Sequence, residues 1–267
     1  MHLPSRRVSR ASTLVKRLSW LAVPVIAFAG LVYPWLGLGV LVIMAALVIS
    51  ALFRGKAWCG QVCPHGSLFD VLLVRFSPNR NIPRFLSSPA FRWGFFAWFM
   101  AMLGWRLYGV FRPGLDWGLW ERLGRAFVIQ YLVFPTAVGT LLALTLNSRA
   151  WCAFCPMGTM QEVLYRLGLR LGLNRRTDRR LSWRAGGACS RCGLCGRVCP
   201  IGLQPYRGLD SGEGTLHEQC LRCWTCVRSC PSQALEANLG PGPLSEGTSS
   251  RKGRPPVLDS GGIGRDP

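Results

Sequence analysis

Twelve cysteines, with only three histidines beside them, are the residues through which this 267-residue chain can do chemistry. Eight fall in two runs. Cys189-Ser-Arg-Cys192-Gly-Leu-Cys195-Gly-Arg-Val-Cys199-Pro200 satisfies C-x₂-C-x₂-C-x₃-C-P at every fixed position, and Cys220-Leu-Arg-Cys223-Trp-Thr-Cys226-Val-Arg-Ser-Cys230-Pro231 satisfies it again. A [4Fe–4S] cube needs four convergent thiolates. The two-residue spacings bend the backbone around three iron corners, while the fourth cysteine reaches the neighbouring cube. The expected ligand sets are Cys189, Cys192, Cys195 and Cys230 for one cluster, and Cys220, Cys223, Cys226 and Cys199 for the other. Zinc knuckles would use two C-x-x-C pairs and leave the further cysteines and the prolines without a role. Disulfides would be reduced on the cytoplasmic face argued below.

The other four cysteines sit in an internal repeat. One copy reads Lys56-Ala57-Trp58-Cys59-Gly-Gln-Val-Cys63-Pro64-His65-Gly66-Ser67-Leu68-Phe69-Asp70, the other Arg149-Ala150-Trp151-Cys152-Ala-Phe-Cys155-Pro156-Met157-Gly158-Thr159-Met160-Gln161-Glu162. Proline suits the first helical position, so Cys63 and Cys155 are expected at helix N-termini. There the helix dipole and the nearby Lys56 or Arg149 favour thiolate over thiol. Cys59, Cys63, Cys152 and Cys155 could ligate a third [4Fe–4S] cluster, form a redox thiol/disulfide pair, bind another metal ion, or be free thiols buried by packing. Asp70 and Glu162 occupy equivalent places. Acids early in a helix complement its dipole, and the same carboxylates are candidate acceptors of protons from an oxidised quinol. His65 is a weaker candidate proton carrier. Trp58 and Trp151 read as interface anchors, and His217 is given no role.

These motifs need elements to hold them. Nearly half the residues are apolar, 16% are charged, and the formal net charge is +20. A soluble domain carries about a quarter charged residues, so the balance points to a membrane chain. Charge-free or nearly charge-free runs place spans at about 18–34, 36–53, 91–110 and 126–148, with a break at Tyr33-Pro34-Trp35. A basic segment, 1–17, precedes them. The second Cys-Pro motif, its helix and a basic linker occupy 149–184, a two-cluster domain 185–238, and a Gly/Pro/Ser-rich, disordered tail 239–267. Arginines and lysines crowd the N-terminus, the middle loop and the stretch after the fourth span. Both termini and all the clusters are therefore expected in the cytoplasm of a bacterium, with the protein in its inner membrane. The arginines of 166–184 read as orientation signals and contacts to anionic lipid rather than to nucleic acid. No histidine lies in an apolar stretch and no C-x-x-C-H occurs, which argues against haem.

Residues 185–238 resemble the bacterial two-cluster ferredoxin module. Together with the spans and the repeated Trp-Cys…Cys-Pro-x-Gly, residues about 18 to 238 resemble the membrane polyferredoxins similar to NapH of periplasmic nitrate reduction and the C-terminal half of NosR. The paired motif in that family is usually C-x₃-C-P in both copies; Cys152 and Cys155 stand one residue closer. The expected fold is a membrane all-α domain, four transmembrane helices as two repeated hairpins, carrying a small α+β ferredoxin domain of the bacterial 2[4Fe–4S] type. The resemblance implies an electron-transfer subunit linking membrane quinone or quinol with a partner oxidoreductase or electron-carrier subunit, with quinol dehydrogenase activity at the membrane face. Its rivals are an assembly factor supplying reducing equivalents to a metalloenzyme, and a redox sensor.

Overall fold

The computed structural model describes residues 13–114, 116–174, 177–184, 189–205 and 219–239. His217, the arginines at 6, 7, 10, 175 and 176, and the expected disordered tail from 240 lie outside the described residues. The chain runs through α1 (Leu14–Val32), α2 (Pro34–Arg54), α3 (Ala57–Gln61), α4 (Pro64–Val71), α5 (Pro89–Phe111), α6 (Leu119–Thr145), α7 (Ala150–Phe154) and α8 (Pro156–Arg170). Of these, α1, α2, α5 and α6 are long and apolar enough to cross a membrane. The break between the first two falls at Tyr33, forced out of helical geometry by the proline that follows it.

The span limits differ from the sequence expectation where charge is neutralised locally. Helix α6 starts seven residues before Ala126. Leu119, Leu123 and Phe127 continue its buried stripe upstream, while Arg122 pairs with Asp116 and Arg125 with Glu121 on the exposed side. Likewise α1 begins at Leu14, capped by Thr13, because Lys16 is paired inside the protein rather than solvated. Within α6 the ladder widens to a π-helical stretch, Leu132–Val138, around Pro135. Proline has no N–H for the Tyr131 carbonyl, and the Thr136 hydroxyl donates to that carbonyl instead.

One end of the bundle is polar. Lys16 at the start of α1, Arg54 at the end of α2, Arg92 near the start of α5 and Arg149 after α6 all lie there, with α3, α4, α7 and α8 folded across it. The other end carries the short connections at Tyr33 and 112–118, with exposed Trp35, Trp105 and Trp117, aromatics suited to a membrane interface. Trp151 does not anchor an interface as expected. It is 3% exposed and packs edge-on against Phe95 and Phe154.

Beyond α8 a two-stranded antiparallel sheet pairs β1 (Arg179–Trp183) with β2 (Leu235–Leu239), Trp183 opposite Leu235 and Leu181 opposite Ala237. Between the strands lie α9 (Leu194–Arg197) and α10 (Thr225–Arg228). Leu181, Val198, Leu221, Ala234 and Leu235 form the small core of this unit.

Candidate functional site

The two cysteine runs fold alike. Arg191 and Arg222 have positive φ at equivalent places, and so do Gly193 and Trp224, which cap α9 and α10. This left-handed kink turns each loop back on itself. Glycine takes it freely, whereas a tryptophan is held there only by its surroundings. Cys189, Cys192, Cys195 and Cys230 line one cavity. Cys199, Cys220, Cys223 and Cys226 line a second. Each cavity thus receives three cysteines from one run and the last cysteine of the other.

The remaining four cysteines meet at the polar end of the bundle. Cys63 and Cys155 cap α4 and α8, with Pro64 and Pro156 at the first helical positions. The amides of His65 and Gly66 hydrogen-bond to the Cys63 sulfur, and those of Met157 and Gly158 to the Cys155 sulfur. With Cys59 and Cys152, both line one cavity. Gln161 Nε2 donates to Cys59 Sγ at 3.1 Å and Arg149 Nη1 to Cys152 Sγ at 3.3 Å. Among the described residues no three His, Cys, Asp or Glu side chains approach closely enough to chelate a single ion. A cube takes one thiolate at each of four iron corners, so its ligands are spread around a cavity as these are.

Thiolate stabilisation by the helix ends does not prevail here. Burial raises Cys59 well above its usual value, raises Cys63, and pushes Cys155 up to about 12. At these three sulfurs desolvation of the anion outweighs the amides and the cations.

The carboxylates are not early in their helices. Both α4 and α8 lack an acid in the first turn. Asp70 and Glu162, each the seventh residue of its helix, instead tie the two copies together. Asp70 accepts a bidentate pair from Arg149, Nε at 2.9 Å and Nη2 at 2.6 Å, and lies 2.6 Å from Lys16 Nζ. Glu162 lies 2.5 Å from Lys56 Nζ and also pairs with Arg92. The acid of each copy therefore binds the cation that opens the other copy, plus one cation from the start of a span. All six side chains are buried. Burial alone would raise the Glu162 carboxyl, but Lys56 and Arg92 hold it below the ordinary glutamate value. Neither acid lines the cysteine cavity. Two buried cations pair with each carboxylate, a geometry that favours a structural role for Asp70 and Glu162. His65 is buried, its Nε2 is 2.9 Å from Thr136 Oγ1, and desolvation lowers it to about 3.

The ferredoxin-like unit sits on this end of the bundle through its second loop. A Cβ on Gly60 would stand 1.9 Å from the Leu221 carbonyl oxygen, so only glycine permits this approach. Gln61 Nε2 donates to the Arg222 carbonyl at 3.1 Å, and Leu221 itself lines the membrane-face cavity. The Arg222 guanidinium forms a bidentate pair with Asp178, 2.9 Å on each side, and lies 4.6 Å from the Tyr165 ring centroid. Tyr165 donates to the same Asp178 at 2.6 Å. The longer first copy supplies Gly60 and Gln61 to this junction, and the shorter second copy, with Ala153, contributes to neither contact. Sequence reasoning missed Gln161, Asp178 and Arg222. Nothing in their local spacing distinguishes them.

The sequence model of one family, Fer4_5 (4Fe-4S binding domain), matches residues 36–83 and 130–174. Each stretch contains one copy of the Trp-Cys…Cys-Pro repeat, and the match supports [4Fe–4S] clusters as the cofactor. Protein RdxA of Cereibacter sphaeroides is 25% identical over 232 residues, covering 71% of this chain and 44% of its own length. The putative electron transport protein YccM of Escherichia coli (strain K12) is 25% identical over 209 residues, covering 72% of this chain and 53% of its own. The chain thus spans about half the length of these curated relatives. No solved structure matches it.

Proposed function

We propose that this chain is a membrane-bound iron–sulfur electron-transfer protein of the NapH-like polyferredoxin kind, built on two duplicated hairpins, that moves electrons between the quinone pool and a partner oxidoreductase. Cys189, Cys192, Cys195 and Cys230 hold one [4Fe–4S] cluster, Cys199, Cys220, Cys223 and Cys226 a second, and Cys59, Cys63, Cys152 and Cys155 a third. Bound cubes supply one-electron carriers. The protein positions them, excludes water and sets the surrounding charge.

The observation that carries the third centre is electrostatic. Among the described residues, Lys16, Lys56, Arg92 and Arg149 are four buried cations faced by two carboxylates, Asp70 and Glu162. Two positive charges beside the cysteines are therefore uncompensated by side chains, and buried charge without a counter-charge is expensive. Four thiolates around a cube form an anionic group that satisfies them. The contact of the second ferredoxin loop with Gly60 and Gln61 supports a path from the membrane face into the Cys199/Cys220/Cys223/Cys226 centre, leaving the centre with exposed Cys192 for a partner. The relative named as a putative electron transport protein supports the same class of activity. The proposed location is the bacterial inner membrane, with all three centres on the cytoplasmic side.

Iron and sulfide analysis with EPR of the anaerobically purified, reduced protein tests this. About twelve irons per chain are expected, falling to about eight in Cys63→Ser with the two ferredoxin signals retained. About eight irons in the unaltered protein would remove the third centre.

A further inference from the structure

The geometry points to the cavity between α2, α5 and α6 as the seat of a quinone or quinol head group, bound by Gln130 and Tyr131. This rests on the electron-transfer reading above and names where its lipid-soluble substrate sits. The cavity that the four cysteines line does not end at them. Its wall runs along α2 through Leu47 and Met44 to Val40. Val40 lies fourteen positions before Arg54, about 21 Å along a helix axis. Cys59, Cys63, Cys152 and Cys155 line one end of the cavity, where they would hold a cluster. The rest is an apolar slot reaching well into the span.

Among the described residues, four polar atoms of the lining side chains have no protein partner: Trp58 Nε1 beside the cysteines, and Gln130 Nε2, Gln130 Oε1 and the Tyr131 hydroxyl together on α6. Gln130 and Tyr131 are both more than nine-tenths buried. Buried polar groups in native proteins are satisfied almost without exception, so three orphans on one turn of helix call for a ligand that bonds to them. An acyl chain cannot. A ring with two oxygens can in either redox state. The oxidised form accepts from the amide N–H and the phenol, while the reduced form also donates to the amide oxygen. The widened stretch of α6 at Pro135 lies directly above these residues and contributes to the same wall.

Helices α2 and α5 both line the slot, through Met44 and Leu103 among others. An entry between them would lead to the acyl chains, where a lipid-soluble substrate is dissolved. At the inner end Tyr131 is within electrostatic range of Cys63, and its ring centroid lies 4.4 Å from that of His65. A head group on Gln130 and Tyr131 is therefore adjacent to the membrane-face cysteines. Asp70 and Glu162 lie outside the slot.

The test uses the full-length protein purified anaerobically in detergent, with decylubiquinone as the probe. Saturable quenching of tryptophan fluorescence is expected, since Trp58 and Trp151 line the cavity. Gln130→Leu and Tyr131→Phe should each weaken the dissociation constant by about tenfold, with iron content unchanged. Val42→Ala, an exposed position on the outer side of α2, should change nothing. An azidoquinone should label the α6 peptide carrying Gln130. Unchanged affinity in both variants would assign the orphan atoms to water and overturn the proposal. So would the lack of saturable binding, or labelling elsewhere, in a protein that carries its full iron. Iron-free protein that still binds decylubiquinone through Gln130 would leave the site standing and sink the electron-transfer reading instead.

Discussion

The side chains around the cysteines are fitted tightly, and one glycine shows how closely. A Cβ on Gly66 would stand 2.8 Å from Arg149 Nη1 and 2.8 Å from the Cys59 carbonyl oxygen. The same addition at Gly158, its counterpart, meets only Lys56 and Cys155 atoms at 3.8 Å, ordinary contact. Gly66→Ala should therefore push Arg149 off Asp70 or Cys152 and cost about 1–3 kcal/mol. Gly158→Ala should be neutral or gain up to about 1 kcal/mol from the lower freedom of the unfolded chain. Thermal unfolding in detergent checks both; equal effects would mean that the two copies carry Arg149 and Lys56 alike. The repeat of Cys-Pro-x-Gly is legible in the sequence because its parts lie within ten residues. The inequality of its glycines is not, because the clashing guanidinium comes from the other copy, and its bond to Asp70 spans 79 positions.

At the level of elements, the helices and loops were legible wherever their signals are local. Proline after Tyr33 and after Cys63 and Cys155 marks breaks and helix starts, and the two-residue cysteine spacings mark the tight loops that gather around two cavities. What the sequence hides is docking. Gly60, Gln61 and Arg222 look like ordinary linker residues, yet they join α3 to the loop before α10. Gly60→Ala has no flexible neighbour to displace, because the obstruction is the Leu221 backbone. It should lift the second cysteine loop from the bundle without touching any ligand. Hydrogen exchange at residues 219–228 should accelerate about tenfold, roughly 1.4 kcal/mol of lost protection, with iron content preserved. Ala153→Gly, at the equivalent place, should leave exchange unaltered. Slow exchange retained in Gly60→Ala would mean that the loop is held by the Arg222–Asp178 pair alone.

For the whole molecule, the arrangement follows from where charge can be buried. The four spans leave one end with Lys16, Lys56, Arg92 and Arg149 paired inside, and further arginines, Arg54, Arg75, Arg80 and Arg170, around it. The opposite end has Arg112, Arg122 and Arg125, two of them neutralised by Asp116 and Glu121. Basic loops stay on the cytoplasmic side during insertion, and on that rule the proposed orientation puts the cysteine-bearing end in the cytoplasm and the tryptophan-bearing end outside. Trp117 is 93% exposed at the tryptophan-bearing end, and Arg170 is exposed at the cysteine-bearing one. A cysteine replacing Trp117 should react with a membrane-impermeant maleimide on intact cells. One replacing Arg170 should react only after the membrane is opened. Labelling of Arg170→Cys from outside would invert the molecule. Inversion would leave the proposed quinone slot within the spans unchanged, but would put every proposed centre, and any partner it serves, on the other side.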